Sequence, residues 1–95
     1  MELQTKDLPV EKKHLLLFMM LVQQHEKIAL IQLAEMPNPA HNQLELDLKA
    51  AKFAIETLEM LYAYTQNSIS NEAKEYLSTI LNKLNTIYTE KSSNA

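Results

Sequence analysis

Residues 15–36 read LLLFMMLVQQHEKIALIQLAEM, and this stretch decides the fold. At about 100° per residue, Leu15, Phe18, Met19, Val22, Ala29 and Leu33 fall on one side of a helix. Leu17, Met20, Leu21, Ile28 and Ile31 fall on a second side, nearly opposite. A helix with one buried side shows one apolar stripe. A helix apolar nearly all round is enclosed nearly all round, or crosses a membrane. The run QQHEK at 23–27 breaks the stretch as a span, which needs nearly unbroken apolar residues. Two packing surfaces are therefore expected on this helix. A helical hairpin covers one; a second subunit or another protein meets the other. The candidate interface residues are Leu15, Leu17, Phe18, Met19, Met20, Leu21, Val22, Ile28 and Ile31.

Outward from this stretch, the spacing predicts three helices and two connectors. The first runs from about Pro9 to Met36, with Asp7 near its cap and Pro9 and Glu11 suited to a first turn. It is expected to end at MPNPA, where two prolines forbid continuation. QLELDL alternates, with Leu44, Leu46 and Leu48 on one side, and reads as an extended lead-in. Asp47 caps a second helix from about Leu48 to Tyr64, whose stripe is Leu48, Ala51, Ile55, Leu58 and Tyr62. Ser70 caps a third, roughly Asn71 to Glu90, with Ala73, Leu77, Ile80, Leu81, Leu84, Ile87 and Tyr88 on its apolar side. The short connector TQNSIS makes the last two an antiparallel hairpin. The fold class is all-α: a long N-terminal helix packed on a helical hairpin, intertwined or paired in a dimer. The whole chain, 1–95, is one domain, with 1–8 and 91–95 expected to fray.

Composition narrows the function. The chain has 95 residues, too few for two domains and enough for one thin core. The net charge is -3, with acidic and basic residues interleaved, so no basic face is available for nucleic acid. There is no Cys, hence no disulfide framework and no thiolate chemistry. There is no Gly either, which removes every phosphate-binding glycine loop. Asn38, Asn42 and Asn67 stand at expected turns, where Asn best replaces Gly in left-handed backbone. The opening MELQTKDLPVEKK lacks the order of a secretory signal. A cytoplasmic location is expected.

Candidate chemistry is sparse. His25 and Glu26 interrupt the apolar faces of the first helix and have the residue types for proton transfer or metal binding. As sequence neighbours they point in different directions, so they read as a polar layer that fixes helix register. His14 and His25 lie about three turns apart, too far to share an ion. Glu45 and Asp47 read as a solvated neighbour and a helix cap. Tyr62, Tyr64, Tyr76 and Tyr88 read as packing and rim residues. The five Met, including Met19 and Met20, suit gap-filling or an adaptable binding face. No catalytic residue, metal ligand or cofactor is assigned.

From Ile31 to Glu90, about two-thirds of the chain, the sequence resembles a bacterial family known as domain of unknown function 1844. The family pattern is an apolar helix ending QLGEIPNP, then VDLxxAKxxIDxLxxLxxKTKGNL, then an acidic-started helix ending near YV. Gln32 to Pro39 match as QLAEMPNP. Asp47, Leu48, Ala51, Lys52, Ile55, Leu58, Leu61 and Thr65 match the second part, and Leu81 and Tyr88 the end. Ala34 stands where the pattern has Gly, and Asn67 stands near the missing Gly of KTKGNL. QQHEK replaces a run that is usually small and apolar. The resemblance implies a short helical cytoplasmic protein and lends no activity. The resulting expectation is a non-enzymatic module that self-associates as a homodimer through its first helix. The alternative is an adaptor or chaperone-like subunit that holds a helix of another protein.

Overall fold

The computed structural model describes residues 8–94. Three helices follow one another: α1 Val10–Gln32, α2 Leu48–Tyr64 and α3 Asn71–Ser93. Each packs against both others. The architecture is the all-α arrangement that the periodicity predicts.

α1 starts behind Pro9, whose carbonyl accepts from the Lys13 N–H at 2.9 Å. Asp7, expected near this cap, lies outside the described residues. The helix stops at Gln32, well before the expected Met36 and before either proline. The cause is a turn closed by two hydrogen bonds. Ala34 N–H donates to the Ile31 carbonyl at 3.1 Å, and Glu35 N–H to the Leu30 carbonyl at 2.9 Å. This is a Schellman termination, and it needs a left-handed residue after the cap. Ala34 supplies it, with φ 61°. Of the three Asn expected at turns, only Asn42 takes a positive φ, at 53°.

The connector folds back on itself. Leu33 bridges antiparallel to Leu46, and Asn38 to Gln43. Asp47 N–H donates to the Gln32 carbonyl at 2.8 Å, which ties the start of α2 to the end of α1. Asp47 caps α2 through a bond from the Ala50 N–H at 3.0 Å, and Ser70 caps α3 from Ala73 at 3.2 Å. Both caps are as read from the sequence. α3 runs to Ser93, past the expected Glu90, so residues 91–93 are helical and not a frayed tail. Lys91 there pairs with Glu35 at 3.0 Å, which fastens the last turn to the end of α1.

The core is wholly apolar. Val22, Ala29 and Leu33 meet Ala51, Ala54, Ile55 and Leu58 of α2 and Leu77, Ile80, Leu81 and Leu84 of α3. Burying each large aliphatic side chain contributes about 1.5–3 kcal/mol. The alanines among them let helix axes come close, since interaxial distance follows side-chain size. The Cα atoms span 46 × 30 × 15 Å. A slab so thin encloses no helix, and each keeps one side toward solvent.

Candidate functional site

The two sides of α1 have different fates. Val22, Ala29 and Leu33 are fully buried, and Phe18 and Leu30 pack against them. Opposite lie Leu17, Met20, Leu21 and Ile28, between 37% and 50% exposed. Of the nine candidate interface residues, these four form the outward face. Val22 belongs to the core and is out of reach of a partner. Leu15, Phe18, Met19 and Ile31 are half-buried, and Leu15, Phe18 and Met19 lie on the core side of the helix. The sequence supplied both stripes, but only packing showed which one the hairpin covers.

The charge on the outward face is one-sided. Lys13 and Lys27 share the arc of Leu17, Met20, Leu21 and Ile28. Both carboxylates of α1, Glu11 and Glu26, lie on the other arc. Among the described residues, neither lysine takes part in an ion pair.

The polar break QQHEK does structural duty. Glu26, with a side chain 18% exposed, accepts an ion pair from Lys83 of α3. That contact carries a carboxylate past the rim of the core. His25 donates from Nδ1 to the Leu21 carbonyl, one turn back, at 3.0 Å. The two side chains do not converge. Among the described residues, no three His, Asp or Glu gather where they would hold a metal, and no helix is long and apolar enough to cross a membrane.

Glu45 has partners that the sequence did not disclose. It accepts from Asn38 Nδ2 at 2.8 Å and pairs with His41 Nδ1 at 2.9 Å. Asn38 Oδ1 also accepts from the Ala40 N–H at 2.9 Å. Glu45 therefore clamps the PNPAHN loop while Asp47 caps α2, so the two act apart. The third histidine, His14, lines a groove of about 470 Å³ between the first turns of α1 and α3, together with Phe18, Ile69 and Glu72.

With this geometry established, comparison with known sequences decides the family. A family model described as domain of unknown function, DUF1844, matches residues 16–90. The chain belongs to the DUF1844 family. No curated protein and no solved structure matches it. The match starts inside α1 and ends in the last turns of α3, so all three helices belong to the DUF1844 unit. The left-handed Ala34 that ends α1 lies within the matched residues.

One apolar feature was not read from the sequence. Phe53, Met60 and Tyr64 are 74%, 45% and 82% exposed along the outer side of α2. Their four-and-three spacing through Thr57 was legible as a second stripe, hidden by the stronger core stripe on the same helix. Leu44 and Leu46, in the connector, are also exposed, at 62% and 46%.

Proposed function

We propose that the chain is a non-enzymatic interaction module that self-associates through the outward face of α1. One observation carries this reading: Leu17, Met20, Leu21 and Ile28 lie opposite a side of the helix that is already buried. Leaving such a row in water forgoes about 25 cal/mol for each Å² that a partner would cover. Two-fold homodimers are the commonest way to cover one. Sedimentation of the full chain at micromolar concentration tests it. A dimeric or larger mass is expected, and Leu17→Asp with Leu21→Asp should lower it. A monomeric mass for the unaltered chain overturns the reading.

A second reading is favoured by the lysines. An outward face whose charges are Lys13 and Lys27 suits an amphipathic helix of another protein with flanking carboxylates. The chain would then be an adaptor or chaperone-like subunit. Salt separates the two. Self-pairing of α1 brings like charges together and strengthens as salt screens them, whereas binding to an acidic helix weakens.

A further inference from the structure

The chain has no Cys, so every sulfur it can present to an oxidant is a methionine thioether. The described methionines differ in their surroundings. Met19 and Met36 are half-buried. Met60 is exposed, but on the outer side of α2. Met20 is 37% exposed and stands on the outward face of α1. Two residues separate it from the fully buried Val22. That is about 200° of helical turn, so the thioether points almost straight away from the core. Its apolar neighbours on that face are Leu17, Leu21 and Ile28, whose side chains carry no hydrogen-bond donor.

Two-electron oxidation changes what such a side chain can do. A hydroperoxide transfers an oxygen atom to the sulfur: its O–O bond breaks, an S–O bond forms, and water or an alcohol leaves. A flexible apolar group becomes a polar one with a strong acceptor oxygen. In the free chain, water donates to that oxygen. Against a second copy it would be desolvated, and Leu17, Leu21 and Ile28 offer no bond in return.

We propose that Met20 is a site of reversible oxidation that controls pairing through α1: the thioether lets two copies join and the sulfoxide holds them apart. This role rests on the reading that α1 pairs with a second copy. A two-fold pair contains the group twice, once from each chain, so one chemical change acts on both halves of the contact. Pairing also covers the sulfur, so the oxidant reaches Met20 through the free chain.

The test treats the full-length chain with dilute hydrogen peroxide and follows two quantities. They are the dissociation constant from sedimentation and the sulfoxide content of each methionine from peptide mass spectrometry. Met60→Leu removes the exposed thioether of α2, and Met20→Leu keeps the α1 face apolar without its oxidisable sulfur. Far-UV circular dichroism verifies that every chain is folded before and after treatment. Oxidation should raise the dissociation constant of the unaltered and Met60→Leu chains by about tenfold or more. It should leave Met20→Leu unchanged, and methionine sulfoxide reductase should restore pairing. Met20 should oxidise more slowly as the chain is concentrated, and Met60 should not. An oxidised chain that still pairs, its sulfoxide met by Gln24 or a lysine, overturns the proposal and leaves the α1 reading standing. So does a Met20→Leu chain that dissociates on oxidation as readily as the unaltered one. A chain that is monomeric before any oxidant is added overturns both.

Discussion

The Glu35 N–H closes on the Leu30 carbonyl at 2.9 Å, and this bond, not the prolines, ends α1. It forms only because Ala34, between the two, sits at φ 61°. A Cβ in that region costs about 1–2 kcal/mol, part of which Gly would return as greater freedom of the unfolded chain. Ala34→Gly is therefore expected to stabilise the fold by about 0.5–1 kcal/mol. In a domain of this size that raises the midpoint of thermal unfolding by about 2–8 °C. Ala34→Val should lower it, because a β-branched side chain tolerates positive φ worst.

The two helix caps make a paired prediction. Asp47→Ala and Ser70→Ala each leave an N-terminal N–H without its side-chain acceptor. Each should cost about 1 kcal/mol in urea denaturation. The caps lie on different helices, so the double variant should show nearly the sum.

The fate of the two sides of α1 is open to direct measurement. Leu58 is fully buried, and Leu58→Ala should cost about 2–5 kcal/mol. Leu21 is exposed, and Leu21→Ser at concentrations where the chain is monomeric should change stability by about 0.5 kcal/mol or less. A large loss for Leu21→Ser in the monomer would mean that the face is packed within the chain.

The ion pair between Glu26 and Lys83 joins a largely buried carboxylate to a half-exposed ammonium group. Lys83→Met removes the partner and leaves Glu26 uncompensated at the core rim, so a loss of about 1 kcal/mol is expected. Glu26→Leu should be neutral or stabilising, because it continues the stripe of Val22 and Ala29. Equal losses from both variants in denaturant titrations would contradict this account.

Much of this was legible in the residues, and the exceptions have physical causes. Asp47 and Ser70 announced their helices because capping is a local bond within one turn. The end of α1 was misplaced because no Gly marks it, and Ala34 adopts the left-handed form only within a turn that Leu33 and Leu46 hold together. The last turn of α3 looked frayed because its anchor, Glu35, is distant in sequence from Lys91. The hold of Glu45 on its loop was hidden because Asn38 reaches it only once the loop has closed.

By itself, the sequence determined three amphipathic helices, their caps and two apolar rows on α1, because each depends on periodicity within a few turns. Only the tertiary structure decided that Val22, Ala29 and Leu33 lie inward and that Leu17, Met20, Leu21 and Ile28 stay outside. It also decided that Phe53, Met60 and Tyr64 face solvent on α2. Opposite sides of one helix are nearly equivalent in hydrophobicity. What separates them is which side offers small residues such as Ala29 where another helix must approach closely, and that choice is made by all three helices together.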